Sequence, residues 1–314
     1  MCDRNLENLF RPGPGGPSTD AVYQAKLDSL AATITALAPD VLAVQEVGDP
    51  AALADLAARV GGGWHVETAA PDGRGIRVGL LSRLELTAVE QVSVFPPGLR
   101  PIQIDDTTVD ASAMGRPALH AQVQVGGRAI DVITTHLKSK LLTFPGGKFS
   151  TRDEELRARF GAFALNRRAA EAVTVRAAAT ALLTAGAGAS GEASVVVLGD
   201  LNDGPEAATT QILYGPPGSE IGTGGFDQPD QGDRQRLWNL AARIPEAQRF
   251  SREFQGRREL IDHILVSHAL VSLVADGAVT TEAAGPVPSI TANPAARRDA
   301  AGSDHRPVLA VISL

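Results

Sequence analysis

Glu7, Glu46, Asp200, Asp262 and Asp304 are spread over a chain of 314 residues, yet each stands beside an apolar run. "VLAV" leads into Gln45-Glu46, and "DVITT" ends in His136. "VVVL" is followed by Gly199-Asp200-Leu201-Asn202, "ELI" meets Asp262-His263, and Ser303-Asp304-His305 precedes "RPVLAVI". If the runs are strands, acids and histidines recur at strand ends, where side chains from different strands converge on one rim. The last strand carries its pair at the start, so it must run antiparallel to reach that rim.

Five carboxylates on one rim are unstable alone, because each disfavours ionisation of the others. A hard divalent cation, Mg²⁺ or Mn²⁺, is the natural compensator, since it prefers oxygen ligands. Mg²⁺ keeps several waters and takes only one or two carboxylates, which leaves the other acids to orient water or histidine. Phosphoryl chemistry uses such a set: activated water, with histidines for proton transfer or charge. Arg77, Lys138 and Lys140 flank the rim and suit an anionic substrate. The stretch 234–258 adds seven arginines against Glu246 and Glu253.

Period and punctuation give the elements that must hold these residues. "RPGPGGPST" (11–19) is a loop, since Pro and Gly exclude regular structure. Leu27, Leu30, Ile34 and Leu37 form one helical stripe that Pro39 ends. "VLAV", "RVGLLS" (77–82), "AIDVITT" (129–135), "VVVL" (195–198), "LIDHILVS" (260–267) and "PVLAVISL" (307–314) read as strands. Thr151 with Glu154 forms a capping box for an Ala/Arg helix running to about 184. "AGAGASGEAS" (185–194) is a flexible connector and 215–235 a surface loop. Strands and helices alternate without a linker or a repeat, which predicts one α/β domain over 1–314 with two sheets in its core.

Composition is that of a soluble globular protein, with 44% hydrophobic and 21% charged residues. A net charge of −7 argues against a broad basic surface that coats nucleic acid. Of the 29 basic residues only four are lysine, and three of those fall in 138–148. Arginine richness of this kind points to a high-GC bacterial genome. One cysteine, Cys2, excludes an internal disulfide. No apolar run approaches the ~18 residues of a membrane span, and no secretory signal is present. A monomer is expected. Aromatic residues total 4%, which argues against an extended base-stacking platform.

"NLENLF" (5–10), "PDVLAVQEV" (39–47), "RVGLLSR" (77–83), "THLKSK" (135–140), "VVLGDLND" (196–203), "LIDHILVS" (260–267) and "SDHRPV" (303–308) together resemble the endonuclease/exonuclease/phosphatase superfamily. The seven motifs appear in family order across nearly the whole chain. The resemblance implies a four-layer α/β sandwich, two packed mixed β-sheets flanked by helices, and Mg²⁺-dependent cleavage of phosphoester bonds. It implies that Asn5 and Glu46 form the metal-site pair with Glu7 beside them, and that Asp304 is a second metal-side acid. Asp200 would orient or deprotonate the attacking water, Asn202 would meet the phosphate, and Asp262 with His305 would face it. His136 resembles the histidine of the DNase-I-like branch. One departure stands out: "MCDR" replaces the usual apolar strand before Asn5, which predicts a short, weakly packed first strand and hints at a trimmed start.

Plainer readings compete at several positions. Glu46 alone is a strand-end surface acid, and Asp200 with Asn202 could form an Asx turn; neither explains acids at the other strand ends. His263 neighbours Asp262 but points to the opposite face of a strand, so it is structural. His65, His120 and His268 lie in no motif. "GDLND" also fits metallophosphoesterases, but their "DxH" and "GNH[DE]" partners are missing. "PGGKFS" fails as a phosphate loop because Phe149 stands where Ser or Thr is required. Ser303 lacks a nucleophile elbow. A nuclease of low sequence preference on DNA or RNA is the first expectation. A phosphatase or phospholipase on an inositol phosphate, sphingomyelin or another small phosphoester is the second, and a scaffold with a decayed site the third. His305 is expected within hydrogen-bond reach of Asp262, 43 residues away in sequence.

Overall fold

The fold is described from a computed structural model, which defines residues 1–186, 193–215, 218, 220–223, 235–282, 286–291 and 294–314. Chain order begins β1 (Cys2–Leu9), α1 (Asp20–Leu37), β2 (Val41–Val47), α2 (Pro50–Val60), β3 (His65–Thr68), β4 (Arg77–Ser82) and β5 (Thr87–Val94). It continues β6 (Ala113–Val125), β7 (Arg128–His136), α3 (Glu154–Ala185), β8 (Ser194–Asp200), α4 (Ala208–Tyr214), β9 (Leu237–Asn239), β10 (Arg252–Phe254) and β11 (Arg257–Glu259). The last elements are β12 (Asp262–Ser267), α5 (His268–Val271), β13 (Val279–Thr280), β14 (Ser289–Ile290) and β15 (Val308–Ala310).

Two six-stranded mixed sheets pack face to face, with strand orders β13-β15-β1-β2-β4-β3 and β5-β6-β7-β8-β12-β9. A small sheet, β11-β10-β14, stands apart. Alternation along each strand divides the core into layers. On β2, Val41 and Ala43 face the second sheet, while Leu42 and Val44 face α1 and α2. On β8, Val196 and Leu198 face the first sheet, while Val195 and Val197 lie under α3. This is the four-layer α/β sandwich that the motifs imply. Among the described residues no helix is long and apolar enough to cross a membrane.

The structure corrects several local expectations. β1 is not a weak edge: it lies between β15 and β2, and Asp3, Arg4 and Asn5 are all buried. Its polar residues are held by polar partners; Gln45 Nε2 donates to Asp3 Oδ1 at 2.7 Å, and the Met1 ammonium donates to the Ala310 carbonyl at 2.8 Å. Strand β15 covers only Val308–Ala310, short of the expected 307–314, and Val311 is exposed. The cap of α3 is Asp153, whose carboxylate accepts from Leu156 N; the Thr151 hydroxyl instead accepts from Asp153 N. The centre of the expected connector, 187–192, and most of the expected loop at 215–235 lie outside the described residues.

Helix α1 shows how local sequence ends an element. Thr19 caps its start and Pro39 follows its end. The residue between helix and proline, Ala38, is exposed and left-handed at φ 42°. Such a position favours glycine, because a Cβ there crowds the carbonyl. Ala38→Gly is therefore expected to raise unfolding stability by about 0.5–1 kcal/mol, measured by urea denaturation.

Candidate active site

The inter-sheet rows are apolar along most of their length and turn polar at one end. On β8 the row Val196, Leu198 continues to Asp200; on β12 the row Val266, Ile264 continues to Asp262. On β7, Ile130 and Val132 lead through Thr134 to His136. Pairing aligns the ends, with Asp262 opposite Asp200 and His136 opposite Asp200. Gly199 makes this alignment possible: at φ +148° it packs against β7, and a Cβ there would lie 1.9 Å from the Thr135 carbonyl oxygen. On the first sheet Asp3 and Asn5 pair with Ala43 and Gln45, and β15 runs antiparallel to β1. The Ser303–His305 turn therefore returns to the same end. His263 has the opposite parity: its Nε2 meets the Asp203 carbonyl and its Nδ1 the Asn239 amide, so it is structural.

Regular strands alone would aim half of these groups the wrong way. Pairing of β1 with β2 slips between Asn5 and Leu9, and pairing of β2 with β4 slips between Val44 and Val47. Glu7, Asn8, Glu46 and Asn202 are left-handed, four of the seven non-glycine residues with positive φ among the described residues. Irregularities of this kind re-aim side chains next to sites, at a cost of order 1–3 kcal/mol each. Here they turn the Glu46 carboxylate onto Asn8 N (2.9 Å) and Asn5 Nδ2 (3.3 Å).

The centre of the site is a buried acid–histidine pair. His305 Nδ1 lies 2.7 Å from Asp262 Oδ2, and its Nε2 lies 4.0 Å from Asp304 Oδ1. Ser303 fixes the turn by donating to the Asn5 carbonyl and accepting from His305 N. Ser251 accepts from Asp262 N. Burial pulls the His305 pKa down, but the charges of Asp262 and Asp304 overcome it and raise it to about 10. Burial likewise pushes Asp262 up, and His305 more than offsets it, holding Asp262 below the usual carboxylate range. The pair is thus imidazolium and carboxylate at neutral pH.

Asp200 sits beside this pair without a cation of its own. It accepts from Asn5 Nδ2 at 3.0 Å and from Asn202 N at 2.9 Å, and His136 Nε2 is 3.5 Å away. Burial, with the Asp262 charge next, raises its pKa to about 7. Burial, then Arg116 and His305, depress His136 well below the ordinary imidazole value, so that ring is neutral. Asp3, which the motifs do not mark, is raised well above its ordinary value by burial and by Asp262. The Asn202 side chain donates to the Leu137 carbonyl at 3.0 Å.

Glu46 and Asp304 bring carboxylate oxygens to the cleft, the donor type a hard cation takes; Asn5 faces Glu46 with Nδ2, and its Oδ1, which accepts from Glu7 N at 2.8 Å, keeps one lone pair for a ligand. Polar atoms at this end are left without partners: Asp3 Oδ2 and Asp262 Oδ1 are buried with no hydrogen-bond partner. Asp200, Asp262 and His305 also bring ligand atoms within 4.8 Å of one another. That trio is a poorer cation site, since the protonated imidazole already supplies the positive charge. Glu7 is also less available than its motif implies. Arg297 grips both its oxygens at 2.5 and 2.8 Å, and Asp304 N donates to it at 2.9 Å.

These groups line one end of a cleft of about 860 Å³. Glu7, Glu46, His136, Asp200, Asn202, Asp304 and His305 reach it, as do Lys138 and Lys140. Asn5 and Asp262 stand behind that lining. Arg77 does not reach the cleft; its guanidinium turns onto the Gly48 and Gly75 carbonyls. Arg74 and Arg116 take its place in the wall. Lys138 is committed to the carbonyls of Ser139 and Leu141, both at 2.8 Å, and Lys140 pairs with Asp203 at 3.0 Å. Of the seven arginines of 234–258, Arg252 alone is in the lining among the described residues. Sequence reading missed Asp3, Arg116 and Arg297. Asp3 carries a signal in its parity with Asn5; the two arginines carry none.

A sequence profile of the Endonuclease/Exonuclease/phosphatase family matches residues 15–305. No curated protein matches the chain by sequence. Truncated TDP2 of Caenorhabditis elegans has a similar structure, at TM-score 0.57 and 16% identity over 100% of this chain and 96% of that one. An AP endonuclease from Archaeoglobus fulgidus gives 0.53 and 15%, covering 100% of this chain and 98% of that one. The 3'-5' exonuclease NExo from Neisseria meningitidis gives 0.51 and 17%, covering 100% and 99%. At these identities the likeness is one of fold.

His305 offers a direct check on the electrostatics. Its ring is expected to remain protonated through pH 8 and to titrate toward the raised value of about 10. Asp262→Asn removes the largest raising influence, so the ring should titrate at or below ~6.5. Ring ¹⁵N chemical shifts followed against pH measure both.

Proposed function

The chain belongs to the endonuclease/exonuclease/phosphatase family, and from that premise we propose that it is a divalent-metal-dependent phosphodiesterase, a nuclease of low sequence preference on DNA or RNA. The observation that carries this reading is the His305 ring, charged against Asp262 and reaching a cleft that Glu46, Asp200 and Asp304 also line. That arrangement suits a phosphate: one fixed cation for its developing charge and a buried carboxylate, Asp200, to receive a proton.

In this reading Glu46, Asp304 and Asn5 Oδ1 would hold Mg²⁺ or Mn²⁺, while Glu7 is engaged by Arg297. The cation, when bound, neutralises phosphate oxygen and acidifies water. Asp200 orients the attacking water through Oδ1 or Oδ2 and takes its proton as the new P–O bond forms. Asn5 and Asn202 N keep its carboxylate in place. His305 Nε2–H and the neutral His136 ring face the phosphate oxygens. Asn202 borders the phosphate with its side chain anchored on Leu137. The ester P–O bond breaks, the leaving oxygen takes the His305 Nε2 proton, and the proton accepted by Asp200 restores the imidazolium by way of solvent. Asp262 is a positioning residue that holds the His305 charge and tautomer. Lys140, Arg74 and Arg116 supply positive charge for an anionic chain, and Lys138 braces the loop that presents them.

Two of the similar structures are named as an exonuclease and an AP endonuclease, which supports nucleic acid as substrate. The second reading keeps the chemistry and changes the substrate to a lipid or small phosphoester; the aliphatic lining of Ile104, Leu141 and Leu142 favours it. A panel of plasmid, single-stranded DNA, RNA, sphingomyelin and bis-p-nitrophenyl phosphate with Mg²⁺ separates the two. Cleavage of the polynucleotides is expected, lost in excess EDTA and restored by Mg²⁺ or Mn²⁺. His305→Ala is expected to lower turnover by ~10²-fold or more with the fold intact by circular dichroism. Full activity in EDTA contradicts the metal assignment, and turnover of sphingomyelin alone contradicts the nuclease assignment.

A further inference from the structure

Aromatic residues are scarce in this chain, yet five of its nine phenylalanines line the cleft: Phe144, Phe149, Phe160, Phe163 and Phe254. Four of them come from one stretch, the loop after β7 and the first turns of α3. Phe160 and Phe163 are three residues apart on α3, so they share a helix face. Their rings stand edge to face with centroids 5.4 Å apart, and Phe144 lies 5.4 Å from Phe160 on the other side. The loop closes on itself where Phe144 N donates to the Lys148 carbonyl, through left-handed Gly146 and Gly147. That turn delivers Phe149 to the mouth of the cleft.

This cluster belongs to none of the three cores that fill the sheets and helices. Docking the loop on α3 accounts for the buried rings of Phe144, Phe160 and Phe163. It does not account for Phe149, which is 48% exposed and still lines the cleft. Arg157, Arg167 and Lys140 line the same cleft, each held in an ion pair, with Glu154, Glu171 and Asp203 respectively. Rings interleaved with positive charge, continuous with a phosphate-handling rim, match a ligand that repeats a planar ring and an anion. An acyl chain would call for an unbroken aliphatic tunnel instead.

We propose that the Phe149–Phe160 wall is a base-binding subsite, which stacks an unpaired nucleobase beside the scissile phosphate. The proposal rests on the phosphodiesterase reading of the carboxylate rim and adds a substrate class to it. A base inside a duplex has both faces covered, so the wall selects single-stranded or frayed nucleic acid. Aromatic stacking is tolerant of base identity, because every base presents a π-face to a phenylalanine ring.

The test compares two decamers of equal charge, oligothymidylate and its abasic tetrahydrofuran analogue. Binding is read by fluorescence anisotropy in the Asp200→Asn background, which prevents turnover during the measurement. Oligothymidylate is expected to bind at least about tenfold tighter than the abasic decamer, and adding Phe149→Ala should remove most of that difference. Phe160→Leu should act in the same direction; Phe149, being exposed, provides the variant least tied to folding. Equal binding of the two decamers by the protein overturns the subsite, as does a Phe149→Ala variant that weakens both equally. Preferential binding of sphingomyelin vesicles over both decamers overturns it in favour of an acyl wall. Turnover is measured separately with the native Asp200. Base-dependent binding without Mg²⁺-dependent hydrolysis leaves the subsite standing and rejects the phosphodiesterase reading. Hydrolysis of both decamers with equal KM does the reverse.

Discussion

Everything at this site follows from burying carboxylates at the end of a hydrophobic interface. The two sheets meet through rows of Val, Ile, Leu and Ala, and the same rows end in Asp3, Asp200 and Asp262. Water cannot solvate these groups, so each needs a proton, a cation or hydrogen bonds. The protein divides the task. Asp262 has the His305 imidazolium, and Glu7 has Arg297. Arg4, buried on β1, lies in the field of Asp262, Asp304 and Glu7. Asp200 is left with hydrogen bonds and a pKa near neutrality, the condition a group needs to exchange protons with water.

That division also explains the unusual backbone. A strand presents side chains alternately to two faces, so it can aim only every second residue at the cleft. Glu46 follows Gln45, whose side chain already faces Asp3 and Thr134. Left-handed geometry at Glu46, and again at Glu7, Asn8 and Asn202, brings consecutive residues to one place. Strain is concentrated where two adjacent side chains are both needed, and the surrounding ladders hold it.

The sandwich and the acid–histidine rim were legible because both obey short periods. Apolar alternation marks β2, β7, β8 and β12, and the polar residue that ends each run marks the rim. The pairing of His305 with Asp262 came from the family resemblance, with chemistry and strand parity in agreement. Features set by backbone irregularity or long contacts were not legible. Arg77 begins β4, but its guanidinium folds back on nearby carbonyls, while Arg116 reaches Asp72 and the His136 carbonyl from β6. Arg297 reaches Glu7 across 290 residues. Asp3 stood in a stretch that looked too polar for a core strand, and its buried partner Gln45 shows why it is one. A low aromatic content hid the Phe wall, because composition averages over the chain and the fold gathers five rings in one cleft.

In the proposed division of charge a proton serves Asp262 and a metal would serve Glu46. Anomalous diffraction from crystals of the protein grown with Mn²⁺ locates the metal without reference to activity. A Mn²⁺ peak is expected within coordination distance of Glu46, on the Asn5 and Asp304 side, with the His305–Asp262 hydrogen bond intact. A peak bridging Asp200, Asp262 and His305, with that hydrogen bond broken, would contradict it.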